Sequence, residues 1–238
     1  SVAMGSIEMS LSNNRMVAET MARGVEAVQR QAVKGEQTAS DWDAAAYQEI
    51  LTSFVGSNPE TFGGGIWFEP YQYRPEQRYF SPYCMRQNGA VTYVDNCSLG
   101  EGVYYTDQDW YTNAANTTQK SVWSAPYYDE FAQISMVTSS APIYDETGRF
   151  LGAATADIDL TQMQQMVLSL DVVANGRAFL IDDTGVYIAD EDSEKLLSAN
   201  RLEYDNPSLA ALGLVAILGI KAVTVLNRSL DQNVVRLY

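Results

Sequence analysis

The chain has 238 residues, 46% of them hydrophobic, which excludes a disordered chain and suffices for one large domain or two small ones with a buried core. A net charge of −15 repels a phosphate backbone, so nucleic acid is not an expected partner; the same field favours small cations, or serves solubility alone. Histidine is absent, which removes the commonest general base and the commonest metal ligand.

Ile7, Leu11, Ala18, Met21, Val25 and Val28 recur at three-, four- and seven-residue steps and predict one long helix from Ile7 to about Ala32, ended by Gly35. Such a helix is longer than a small domain needs and serves as a spine or a dimer element. A second helix is expected from Ser40 or Asp41 to about Val55, with Gly56, Asn58 and Pro59 breaking it. The stretch FGGGIWFEP reads as a strand. Tyr79 to Met85 and Ala90 to Val94 read as two more, around an Asn-Gly hairpin turn at Asn88-Gly89.

Asp107 to Asn116 is expected to be a short helix with Asp107 as its N-cap. Ser121 to Trp123 begins a strand. Ile134 to Ile143 and Phe150 to Ile158 are long strands joined through Tyr144 to Gly148, and Leu160 to Leu168 is a connecting helix. Arg177 to Asp182 and Val186 to Ala189 make a further strand pair about a turn at Asp183 to Gly185. The two strand–turn–strand units, IYDETGRFLGA and FLIDDTGVYIA, suggest two related α+β modules. A helix near Pro207 and strand-like AVTVL and NVVRLY complete the chain. The start, SVAMGSIEMS, has no apolar core of signal-peptide length. Leu209 to Leu226 is the nearest thing to a membrane span, but Lys221, Gly213 and Gly219 interrupt it, so a buried helix and strand are expected there.

Rings and carboxylates alternate between Tyr104 and Asp157, as if lining one small-molecule pocket. An ammonium group needs carboxylate acceptors and aromatic faces, each face contributing about 0.5–2 kcal/mol of cation–π attraction. Asp129 and Asp157 supply charge; Trp110, Tyr111 and Tyr128 supply rings and hydroxyls. Each has a plainer role open to it. Trp110 also suits a core anchor, Tyr111 and Tyr128 ordinary half-buried tyrosines, and Asp129 a turn cap. Asp157 stands in an apolar strand, where an acid requires a partner. Asp109 suits a solvent-facing first turn, and Trp67 the core.

Two cysteines, Cys84 and Cys97, flank the Asn88-Gly89 hairpin thirteen positions apart, and no other cysteine exists. The spacing excludes a C-x-x-C metal or redox site and allows either a disulfide, favoured by the turn-rich flanks, or two buried thiols.

Taken in order, the long first helix, GGGIWFEPYQYRPEQRYFSPY, DWY, WSAPYYDE, SMVTSSAPIYDETGRFLGAATADIDL and RAFLIDDTGVYIAD resemble the double Cache family, the extracytoplasmic sensor domains of bacterial transmembrane receptors. The resemblance implies an α+β fold, with a long N-terminal helix carrying two tandem PAS-like modules built on antiparallel sheets. It implies a helical part over 1–60, a membrane-distal, ligand-binding module over 61–165, and a membrane-proximal module over 166–238, short for its kind. It implies a receptor in the inner or plasma membrane, with a chemotaxis, kinase or cyclase output inside the cell. A homodimer through the first helix is a further implication.

One branch of that family binds amino acids with a Tyr, an Arg-x-Trp-Tyr, a further Tyr and a late Asp. Here Trp110 and Tyr111 match the Trp-Tyr pair, Tyr128 suits the next Tyr, Asp157 the late Asp, and Tyr104 the first Tyr at poorer spacing. Gln108 stands where the family's arginine grips the ligand carboxylate, and an amide cannot form that bidentate charged pair. The amine-binding branch also lacks the arginine and keeps acidic residues, as Asp129 does here. The expected ligand is therefore a small amine or amino acid, held by Gln108, Trp110, Tyr111, Tyr128, Asp129 and Asp157, with no cofactor.

Three alternatives are weighed against this. An organic acid is a second ligand class. An enzyme using Asp129 and Asp157 as an acid pair is a third reading, but no P-loop, G-x-S-x-G or H-E-x-x-H occurs. The acidic runs DETGR, DIDL, DDTG and DEDSE lack the spacing of a calcium loop, so no metal is expected.

Overall fold

The computed structural model describes residues 2–34 and 44–169 without a break. Beyond them it describes 176–177, 179–182, 186–190, 192, 196–197, 216–217, 220–221, 225–227 and 234–235. The helix end at Gly35, the second helix's first residues, the turn at 183–185 and the helix near Pro207 lie outside the described residues, as does most of the 209–226 run. No described helix is long and apolar enough to cross a membrane.

Helix α1 runs Val2–Lys34, about 50 Å at 1.5 Å per residue. Its apolar stripe buries Ile7, Leu11, Val17, Ala18, Met21, Ala22 and Val25 along the back of a sheet. Helix α2, Ala44–Ser57, adds Tyr47, Leu51 and Val55 to the same layer. Its C-terminus is held by Arg86, whose guanidinium donates to the carbonyls of Val55 at 2.5 Å, Asn58 at 3.0 Å and Thr61 at 3.0 Å. Unpaired carbonyls at a helix end are satisfied this way.

The seven-stranded sheet comprises β1 (Gly63–Phe68), β2 (Tyr83–Gln87), β3 (Ala90–Val94), β4 (Val122–Trp123), β5 (Tyr127–Asp129), β6 (Ile134–Tyr144) and β7 (Phe150–Asp159). The order is β3-β2-β1-β7-β6-β4, with β5 also on β6, and every pairing is antiparallel. Asn88 at φ 52° and Gly89 at φ 80° make the β2–β3 turn, the left-handed pair a two-residue hairpin demands. Between β3 and β4 lie a 3₁₀ turn, Tyr105–Asp107, and helix α3, Asp109–Asn116. The N-cap is therefore Gln108 rather than Asp107, with no side-chain capping bond.

Side chains alternate across the two long central strands. Ala154 and Ala156 of β7, with Ala141 and Ile143 of β6, face α1 and α2. Ala153, Thr155 and Asp157, with Met136 and Thr138, face the other way, toward α3. Helix α4, Leu160–Leu168, follows β7 as expected and is capped by Asp159, whose carboxylate accepts from the Thr161 N–H. Its Leu160, Met163 and Val167 pack with Ile7 and Leu11 of α1 and with Leu180, Ile188 and Ala189 from β8 (Leu180–Asp182) and β9 (Tyr187–Ala189). The fold is α+β, as the sequence implies.

Candidate functional site

Two of the three glycines in β1, Gly63 and Gly65, let the site exist. A Cβ on Gly63 would strike the Tyr83 hydroxyl, and one on Gly65 would lie 2.5 Å from the Trp67 ring nitrogen. Bare backbone at these points therefore gives the two rings room to lie flat on the strand. Tyr83 then reaches across β1 to Asp157, and the indole N–H of Trp67 donates to Thr155 Oγ1 at 2.8 Å. Trp67 also meets Trp110 of α3, with ring centroids 4.8 Å apart. Such aromatic pairs add roughly 0.5–1.5 kcal/mol beyond burial and hold α3 over the sheet.

Between α3 and the sheet lies a cavity lined by Trp67, Tyr83, Trp110, Tyr127, Asp129 and Asp157. Cys97, Leu99, Phe131, Met136, Thr138 and Thr155 complete its wall. The free space between them, about 20 Å³ for the centre of a water molecule, has room for one water. Asp157 is the only acid fully inside it, 3% exposed. Register places it opposite Gly63 on one side and Thr138 on the other. Its Oδ2 accepts from the Tyr83 hydroxyl at 2.8 Å, and its Oδ1 from Thr138 Oγ1 at 2.7 Å. Thr138 Oγ1 in turn shares a 2.8 Å hydrogen bond with the Tyr127 hydroxyl.

The lining contains no lysine or arginine. Burial pushes the Asp157 carboxyl up to about 7; the hydroxyl bonds from Thr138 and Tyr83 oppose this, and the charge of Asp129 adds to it. Burial, reinforced by the Asp157 charge, drives Tyr83 and Tyr127 well above the ordinary phenol range, so both remain protonated donors. Asp129, at the cavity edge, also accepts from the Ala132 N–H at 2.6 Å, so it closes a turn as well as facing the space. No group of three or more Cys, Asp or Glu is arranged to hold a metal among the described residues.

Of the residues expected at the site, Trp110, Asp129 and Asp157 come together in this cavity. Tyr128 does not: it is 52% exposed, and its neighbour Tyr127 faces inward instead. The reason is the strand's two-residue period, which allows one of two adjacent tyrosines to point in. Tyr111 is buried outside the cavity lining, where its hydroxyl donates to Glu69 Oε2 at 2.7 Å and its ring packs on Tyr105 and Phe150. Gln108 lies at the N-terminus of α3, its amide donating to the Tyr104 carbonyl at 3.2 Å. It does not line the cavity, and Tyr104 is 44% exposed.

The cysteines are not bonded. Cys84 is buried on the α1 and α2 face, and Cys97 on the cavity face. The sheet stands between them, so their sulfurs cannot meet. Burial pushes each thiol up to about 12, which keeps both unreactive. The sequence places Trp67 in the core, where it lies 3% exposed, and does not mark Tyr83, Tyr127, Thr138 or Thr155. Strand alternation was the only signal for Thr138 and Thr155, and it acquires meaning once the register with Asp157 is fixed.

Comparison with known proteins agrees with this fold. Over 84 residues, 35% of this chain, the sequence is 37% identical to the methyl-accepting chemotaxis protein McpC of Bacillus subtilis, of whose length that match spans 13%. The structure superposes on Methyl-accepting Chemotaxis protein X with a TM-score of 0.68, at 18% identity, covering 93% of this chain and 85% of that one. It superposes on the ligand-binding domain of the Pseudomonas aeruginosa amino acid chemoreceptor PctC, solved with GABA, with a TM-score of 0.58 at 17% identity, covering 85% and 77%. Residues 47–165, from Tyr47 on α2 through most of α4, match the family model for the first PDC sensor domain of methyl-accepting chemotaxis protein-like receptors. The chain therefore belongs to that family of chemoreceptor-type, Cache-like sensor domains.

Proposed function

We propose that this chain is the extracytoplasmic sensing part of a transmembrane receptor and that the cavity between α3 and the seven-stranded sheet binds a small amine or amino acid. The observation that carries this reading is Asp157: a buried carboxylate among Trp67, Trp110, Tyr83 and Tyr127, with no cation beside it. A buried acid without a counter-charge is costly, and an ammonium group meets that need while its substituents lie against ring faces. The PctC domain solved with GABA supports the reading, because that ligand carries an ammonium group. The space has room for about one water, so the ammonium fills it and the rest of the ligand displaces Trp110 or Phe131 outward.

Residues 61–165 act in this proposal as the ligand-binding module and the part after 165 as the membrane-proximal one. Binding shifts α1, or a dimer formed across it, between two signalling states through differential affinity. The domain senses rather than catalyses, and any chemistry belongs to the receptor's output.

A thermal-shift screen of amines, amino acids and organic acids tests this. A ligand present at 100 times its dissociation constant adds about 2.7 kcal/mol to stability. Stabilisation by ammonium-bearing compounds alone is expected. Stabilisation only by acids lacking an ammonium group would overturn the amine reading.

A further inference from the structure

We propose that sensing at this site is an exchange of cation for proton: Asp157 carries a proton while the cavity is empty, and an ammonium ligand expels that proton as it binds. The inference rests on the amine reading above and adds the regulation of the same site.

The geometry gives the ionised acid two hydroxyl donors but no counter-charge. Asp157 is enclosed between β1, β2, β6 and α3, and the cavity beside it is no larger than one water needs. The titratable groups facing it are Tyr83 from β2, Cys97 from the segment after β3, and Tyr127 and Asp129 from β5. Trp67 of β1, Trp110 of α3 and Thr138 of β6 add no charge, and no lysine or arginine lines the space. Near neutral pH the buried phenols and thiol are neutral, so Asp129 supplies the remaining charge, and it repels. A buried carboxylate in such surroundings takes up a proton rather than remain ionised.

The hydroxyl chain fits both states. The Tyr83 O–H donates to Oδ2 in either case. With Asp157 ionised, Thr138 donates to Oδ1 and accepts from Tyr127. With the proton on Oδ1, the acid donates to Thr138 Oγ1, whose own hydrogen turns to the Tyr127 oxygen. The Tyr127–Thr138 pair is a hydrogen bond in which either oxygen can be the donor, so the switch needs two hydroxyl rotations and no backbone movement.

The step balances. The carboxyl O–H bond breaks, its electron pair stays on Oδ1, the proton leaves to solvent, and the ammonium forms a charge-assisted hydrogen bond to the carboxylate. One positive charge enters and one leaves, and nothing is oxidised or reduced. Affinity for an ammonium ligand therefore falls about tenfold per pH unit below about 7 and levels off above it.

Two measurements on the whole chain test this. The first needs no ligand: infrared difference spectra of the empty domain against Asp157→Asn, and of the wild type alone along a pH titration. A protonated-carboxyl carbonyl band below neutral pH, lost above it and missing in Asp157→Asn, is expected. Its absence from the empty wild-type domain at about pH 6 overturns the proposal. The second is calorimetry with ethanolamine, γ-aminobutyrate and L-serine near pH 6 in phosphate and in MES, two buffers of different ionisation enthalpy that carry no primary ammonium group. An enthalpy that differs between the buffers, reporting close to one proton released, is expected, and buffer-independent enthalpy overturns the exchange. If the infrared band is present but no ammonium compound binds or removes it, the amine reading fails together with the exchange. If an amine binds without altering the band, the amine reading stands and the exchange alone fails.

Discussion

Replacing Asp157 by asparagine separates the charge of this residue from its shape. The folded carboxyl titrates at about 7 and the ordinary value is 3.8, so the folded state holds the proton more tightly than the unfolded state. Stability from this group is therefore complete below pH 3.8 and declines as pH rises to about 7. At 1.36 kcal/mol for each pH unit across that window, the decline is roughly 4 kcal/mol. Asparagine cannot ionise, so its stability lacks this slope. Its amide matches the protonated acid, accepting from Tyr83 and donating to Thr138, and lacks only the second acceptor of the ionised form. The assay is thermal unfolding of both proteins followed by circular dichroism between about pH 4 and pH 8. For a chain of this length roughly 4 kcal/mol corresponds to a relative Tm change on the order of 8–16 °C. The two proteins are expected to be similarly stable at the acid end of this range, and the wild type to fall behind as pH rises. Parallel curves for the two proteins would show that Asp157 ionises freely, and the account of the cavity as uncompensated would be wrong.

Tyr127→Phe removes a hydroxyl from the chain leading to Asp157, whereas Tyr128→Phe alters an exposed ring. Calorimetric titration with any amine that stabilises the domain should show weaker binding for the first, by about 1 kcal/mol, and no change for the second. Equal effects would remove Tyr127 from the site. Gly152→Ala should destabilise by at least about 3 kcal/mol in urea unfolding, because the residue sits at φ +147° and its Cβ would lie 2.8 Å from the Phe68 Cα and collide with the Trp67 carbonyl. Asn14→Leu leaves the Ala156 carbonyl and the Thr61 hydroxyl without their partners at 2.8 Å in the core, and the same assay should read a loss of about 2–4 kcal/mol. A reducing agent should leave the Tm unchanged, since Cys84 and Cys97 are separate thiols; a fall of several degrees would mean that they are bonded.

Much of the fold is legible in local pattern. The apolar stripe of α1, the Asn-Gly turn and the β6–α4 succession are set by interactions within a few residues, which is why their limits agree with the structure to within a few positions. The site was legible only in part. Asp157 stood out because a lone acid in an apolar strand demands a partner, and Trp110 because the DWY motif carries the family resemblance. Tyr128 suits the family motif, but adjacent residues in a three-residue strand offer no phase that would mark Tyr127 as the inward one. The same limit applied to the disulfide: the hairpin placed Cys84 and Cys97 near each other in sequence but did not show that they occupy opposite faces of the sheet.

The sequence by itself determined the family, the α+β class and the acid the pocket is built around, because motif, periodicity and burial preference are properties of the chain. The tertiary structure alone decided which rings and hydroxyls meet that acid. Trp67, Tyr83 and Thr138 lie 90, 74 and 19 residues before Asp157 in the chain, and only the pairing of β1, β2, β6 and β7 brings their side chains to one face. Register is a long-range property, and a shift of one residue would turn every one of them to the other side of the sheet.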